Sequence, residues 1–240
     1  MASPKTTDTF LLFGGTGAIG GAILKTILED GWCVVSTTRG TPPANSEPIK
    51  WLTLDPFAPG FDPEILDRNA PYAAVCWAQG SNFNDSIYDF NQARHEEIYR
   101  ANVMFILVTL NLLLQRNLLR KSARLCLISS IWQNLARQNK ISYSITKSAL
   151  QGLVLSAATD IAREGHLING VLPGVLDTPM TRKNLSAEQV ERVSSATLFK
   201  SLPTLESVAS LVAFLCSDRN IGITGQFIEA DLGFSRVRII

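Results

Sequence analysis

The sequence is sparing with the residues that mark several function classes. It has two histidines, His95 and His166, in 240 residues. Neither has further ligands at helical spacing, so no metal is expected; both are placed on helix surfaces or ends. The four cysteines, Cys33, Cys76, Cys126 and Cys216, lie far apart with no CxxC pair. They read as buried, reduced thiols of a cytoplasmic protein, not as a disulfide framework. Neither sign of charge dominates: the formal net charge is +1. Nucleic acid and an acidic membrane surface are therefore not expected partners. The opening stretch MASPKTTDTF has no apolar leader. The longest apolar run, residues 103–114, contains Thr109 and Asn111 and is too short to span a bilayer. It reads as a core helix.

What is present is an ordinary globular composition, 46% hydrophobic and 18% charged, with length enough for one large domain. Apolar runs alternate with helical patterns. TFLLF, WCVVSTT, IKWLTLD, YAAVCWA, ARLCLISS, LINGVLP and QFIEAD read as strands. Helices are expected over AIGGAILKTILEDG, over 92–116, 142–163, 186–199 and 204–217. Most strand runs are continuously hydrophobic, as in strands buried on both faces, which argues for one doubly wound α/β domain with a parallel sheet. No linker or repeat divides residues 1–240. Residues 41–48 (TPPANSEP) read as a loop, and 181–199 as a substrate lid or a surface helix.

FLLFGGTGAIGG places glycines between the first strand and the first helix. Gly14, Gly17 and Gly20 are spaced three apart, and residues 15–20 also fit GxGxxG. A backbone that approaches a pyrophosphate, and aims helix N–H groups at it, needs residues without Cβ. A plain tight turn is the alternative, but the strand–turn–helix context favours dinucleotide binding. The second strand ends in STTRG, with no acid for a ribose 2′-hydroxyl but with Arg39. A guanidinium suits a 2′-phosphate, so NADP(H) is preferred, with NAD(H) kept as the alternative.

ISSIWQNLARQNKISYSITK, residues 128–147, sets Ser130 thirteen residues before Tyr143 and Lys147 one helical turn after it. Carbonyl reduction needs a hydride and a proton. A tyrosine can donate the proton, a cation on the same helix face lowers its pKa, and a serine can hold the carbonyl oxygen. Taken alone, Y-x-x-x-K is common by chance.

With these motifs in their order, the chain resembles the short-chain dehydrogenase/reductase family along nearly its whole length. Asp55 matches the family's acidic residue beside the adenine. CWAQG stands in the place of NNAG, Asn102 matches the asparagine of the catalytic tetrad, LPGVLDTPM resembles PGxIxTxM, and GITGQFIEADLG resembles the family's C-terminal ITGxxxxVDGG. The resemblance implies a Rossmann-type fold and a homodimer or homotetramer. It implies a catalytic set of Asn102, Ser130, Tyr143 and Lys147, with Tyr143 as general acid and base and Lys147 on the nicotinamide ribose. Asn102 would hold a water linking Lys147 to solvent. Cofactor contacts are expected from Gly14, Thr16, Gly17, Ala18, Ile19, Gly20, Arg39, Asp55, Ala78, Gln79, Gly80, Tyr143, Lys147, Pro173, Gly174, Val175 and Thr178.

Three departures stand out. Ala18 replaces a glycine of the turn, Trp77-Ala78-Gln79-Gly80 replaces NNAG, and Leu232 breaks the terminal DGG. Gln79 is expected either to brace neighbouring strands or to face the cofactor. IWQNLARQNKIS, between Ser130 and Tyr143, is expected to line the pocket, with Trp132, Gln133 and Asn134 directly after the serine; this mix of an aromatic and amides suggests a polar carbonyl compound. The favoured function is an NADP(H)-dependent ketone/alcohol oxidoreductase; the alternative is a non-catalytic dinucleotide-binding sensor or scaffold.

Overall fold

TFLLF forms β1 (Thr9–Phe13), in which side chains alternate between the two sheet faces and Phe10 through Phe13 are fully buried. The structure is a computed structural model describing residues 8–44 and 48–237; the expected loop over 41–48 lies partly outside the described residues. Six further strands follow: β2 (Cys33–Thr38), β3 (Lys50–Thr53), β4 (Tyr72–Trp77), β5 (Leu119–Ile128), β6 (Leu167–Pro173) and β7 (Phe227–Ala230). They form one sheet in the order β3-β2-β1-β4-β5-β6-β7, and every pairing is parallel. This is the doubly wound Rossmann-type sheet expected from the continuous apolar runs.

Phe10 and Leu12 pack under α1 (Ala18–Glu29) and α7 (Leu205–Leu215), in a core with Ile23, Ile27, Val208 and Val212. Leu11 and Phe13 pack on the opposite face with Val103, Phe105, Leu110 and Leu150. That face is covered by α3 (Phe105–Gln115) and α4 (Ile141–Ile161). The strand order reverses beside β1, with β2 on one side and β4 on the other. Such a switch point opens a crevice at the carboxyl ends of the strands, the usual ligand position in open α/β sheets.

The helix expected over 92–116 is continuous but not uniform. α2 (Gln92–Tyr99) passes through a π-helical turn at Arg100–Met104 into α3. Gln92–Gln115 is long and apolar enough to cross a membrane by length and composition. Here Val103, Phe105, Ile106, Leu110 and Leu113 of that run pack into the protein core. The segment 181–199 is folded into α5 (Pro179–Asn184) and α6 (Ala187–Ala196); α5 lines the crevice, and a reciprocal Ser186–Gln189 capping box starts α6. The short α5 has too few apolar positions for periodicity to reveal it.

Two expectations fail on burial. Cys33 is exposed, while Cys76, Cys126 and Cys216 are buried; Cys33 opens β2, ahead of its covered part. His166 is 6% exposed and accepts a 3.0 Å hydrogen bond at Nδ1 from the Ala123 backbone. It follows the left-handed Gly165, which turns the chain inward toward β6.

Candidate active site

The crevice at the switch point is a cleft of about 840 Å³, lined by most of the residues expected to act together. Of the expected site residues, Gly20 and Asn102 stand behind its wall and all the others line it. Gly14 turns the chain at φ +85°, a left-handed conformation that favours glycine. A Cβ there would meet the Gln79 backbone nitrogen at 2.6 Å, and one on Gly20 would meet the Gly14 carbonyl oxygen at 2.1 Å. Gly20 thus fixes how closely α1 approaches the turn rather than touching a ligand. Ala18 is the first residue of α1 and is exposed, so its methyl group is accommodated without displacing the turn.

Arg39 projects from the end of β2 into the cleft and is in no ion pair among the described residues. Asp55 accepts a 3.0 Å hydrogen bond from the Phe57 backbone, which fixes its carboxylate at the same end. Gln79 does not brace the neighbouring strands: its Oε1 and Nε2 are buried and have no hydrogen-bond partner. An unpaired buried amide costs about 1–3 kcal/mol, which a ligand bearing polar groups would offset. The glycine cradle, the unpaired guanidinium and this orphaned amide fit a dinucleotide.

At the other end stand Ser130, Tyr143 and Lys147. Ser130 Oγ accepts a 3.3 Å bond from Trp132 N–H, which leaves its own hydrogen to donate. Lys147 is 4% exposed, and its Nζ donates to the Ile128 carbonyl at 2.9 Å. It lies 5.6 Å from the centroid of the Tyr143 ring. The tyrosine pKa runs against the sequence expectation. Burial pushes it up to about 12, with hydrogen bonding to Ser130 opposing. Burial also brings the Lys147 ammonium down to about 8. Desolvation outweighs the Ser130 hydrogen bond, so the phenol holds its proton at neutral pH.

Asn102 lies in the π-helical turn. Its Oδ1 accepts from Ser81 N at 2.7 Å, and its Nδ2 donates at 3.0 Å to both the Ser81 carbonyl and Thr146 Oγ1. The side chain therefore ties the loop after β4 to the helix that carries Tyr143 and Lys147. Of the residues expected to line a substrate pocket, Trp132 does so but Gln133 and Asn134 do not. The short 3₁₀ turn after Ser130 folds Gln133 back, where its Oε1 accepts from Ser129 Oγ at 2.7 Å.

The sequence profile described as "Enoyl-(Acyl carrier protein) reductase" matches residues 71–235. The chain belongs to the short-chain dehydrogenase/reductase family. It is 26% identical to a protein of Bacillus subtilis named "Uncharacterized oxidoreductase YmfI", covering 94% of this chain and 98% of that one. It is 27% identical to the acetoacetyl-CoA reductase of Synechocystis, over 85% of this chain and 86% of the relative. Among solved structures it resembles ElxO with NADP bound, with a TM-score of 0.83 at 22% identity, covering 95% of this chain and 99% of the other.

Motif reasoning missed several residues of this short-chain dehydrogenase/reductase's site. Asp85, 3% exposed, accepts hydrogen bonds from the Ser142 backbone and hydroxyl, and His95 Nδ1 lies 2.9 Å from the same hydroxyl. This network anchors the first turn of α4 just before Tyr143. Lys140 and Arg137 line the cleft, as expected of the stretch between Ser130 and Tyr143.

Proposed function

We propose that this short-chain dehydrogenase/reductase is an NADP(H)-dependent oxidoreductase that interconverts a ketone and a secondary alcohol. The observation that carries the reading is a shared cleft: Ser130, Tyr143 and Lys147 line one end, and the Gly14–Gly17 turn and Arg39 line the other. The NADP-bound ElxO and the relative named acetoacetyl-CoA reductase support it.

The bound cofactor supplies the hydride. In reduction, Tyr143 transfers its phenolic proton to the oxygen that develops negative charge, a contribution of about 10²–10⁴-fold for a general acid. Ser130 holds that oxygen beside the phenol. Lys147 binds the nicotinamide ribose and supports the tyrosinate that forms, and Asn102 holds the water through which Lys147 exchanges protons with solvent. In oxidation the same groups run in reverse, with Tyr143 as base. Pro173, Gly174, Val175 and Thr178, which line the cleft, would border the nicotinamide. Residues 181–199 close over bound substrate and exclude water.

The protein acts as a homodimer or homotetramer through exposed apolar side chains on the helices of one face, Met104, Leu107, Ile145 and Leu155, and through the edge strand β7. The test is NADPH absorbance in the presence of a panel of ketones. A fall in absorbance that depends on the ketone is expected. Tight NADPH binding with no ketone reduced would favour the non-catalytic sensor.

A further inference from the structure

The substrate end of the cleft holds two cations that the reaction described above does not use. Lys140 is 3% exposed. Its Nζ lies 5.7 Å from the Tyr143 ring centroid, on a residue other than the expected catalytic lysine. It donates to three neutral oxygens: Asn82 Oδ1 at 2.7 Å, the Phe83 carbonyl at 3.2 Å and Asn184 Oδ1 at 3.3 Å. No carboxylate reaches it within ion-pair distance among the described residues. Asp85 attracts it from further off, but that carboxylate is taken up by Ser142. Arg137, half-buried with its guanidinium 5.9 Å from the Trp132 ring centroid, lines the same cleft and repels Lys140.

Apart from these hydrogen bonds, the placement opposes stability. A buried ammonium without a counter-charge is unfavourable, and a like charge nearby adds to that. Lys140 is also the N-cap of α4 and makes no side-chain cap, at the helix end that favours negative charge or a side-chain acceptor. Neutral amides would tie the same loops together without these penalties. Local violations of this kind gather at functional sites. The groups missing from the cluster are negative ones, and burial and Arg137 together bring the Lys140 pKa down to about 8, so an arriving anion would favour its charged form.

We infer that Lys140 and Arg137 form an anion subsite, and that the preferred substrate is a carbonyl compound carrying a carboxylate or phosphate close to the carbonyl. The inference rests on the proposed ketone reduction for its substrate and on the cluster itself for the subsite. The anion would displace the longest of the three Lys140 hydrogen bonds, that to Asn184 of α5, and the planar Arg137 fork would meet it in bidentate fashion.

Two substrate pairs test this: acetoacetate against methyl acetoacetate, and dihydroxyacetone phosphate against dihydroxyacetone. One charged hydrogen bond is worth about tenfold to a hundredfold. In at least one pair the anion should therefore be favoured in kcat/KM by that factor, and the pair that shows the preference distinguishes carboxylate from phosphate. Lys140→Gln should bring the ratio close to unity, mainly through KM, and Arg137→Gln should narrow it. A purely structural role would lower both members of a pair alike, leave the ratio intact and overturn the inference. A second arm does not depend on turnover. With saturating NADP filling the Arg39 end, malonate and inorganic phosphate are titrated by calorimetry. Binding of one of them that both variants weaken is expected. Were no ketone reduced while that binding held, the proposed reaction would fail and the subsite would stand. No anion preference together with no variant-sensitive binding would overturn the subsite.

Discussion

The two ends of the cleft are built differently. At the dinucleotide end, the lining centres on the turn after β1 and the end of β2, joined by Asp55 after β3 and Ala78–Gly80 after β4. Close backbone approach sets its shape: a Cβ on Gly20 would stand 2.1 Å from the Gly14 carbonyl oxygen. The catalytic end is assembled from distant segments. Tyr143 is held by α4, which Asp85 anchors from 57 residues away in sequence, while Asn102 reaches across to Ser81 and Thr146. One end is a local backbone form; the other is a network of buried side chains.

The sharpest way to break this contrast is Gly20→Ala. Overpacking typically costs about 1–3 kcal/mol, and here the methyl group meets backbone. NADPH affinity should fall by more than about tenfold, with a clear loss in Tm. Unchanged cofactor binding would mean that the turn does not need this close approach. Arg39→Ala comes next. Removing one charged hydrogen bond should weaken NADPH about ten- to a hundredfold while NADH changes little; equal weakening of both would remove Arg39 as the reader of the phosphate. The smallest effect is expected for Ser142→Ala at the catalytic end. It takes one hydrogen bond from buried Asp85 and should lower stability by about 1–3 kcal/mol. Turnover should fall a few-fold as Tyr143 loosens, with NADPH affinity unchanged. A matching drop in NADPH affinity would show that the two ends are not separately built.

The same contrast explains what could be read from the sequence. The parallel sheet was legible because β1 and β4 are nearly continuous apolar runs. The glycine turn was legible because its constraint acts between near neighbours. Ser130, Tyr143 and Lys147 were found by spacing, and they do share a cleft wall. Three things were not legible. The pKa of Tyr143 depends on how deeply the fold buries the phenol, and spacing shows only that a cation is near. Gln133 looked like a pocket residue but is turned onto Ser129 by a single 3₁₀ turn. Asp85 and the folded segment at α5 owe their positions to packing between segments far apart in the chain.

The central claim is that Tyr143 donates the proton at a site whose cofactor is held elsewhere. Tyr143→Phe tests it most directly, since the change keeps the ring and its packing and removes only the transferable proton. NADPH binding is measured by fluorescence, and turnover with whichever ketone the panel identifies. The account predicts a loss of at least about 10²-fold in turnover with NADPH affinity nearly unchanged. Near-full activity in Tyr143→Phe would contradict it.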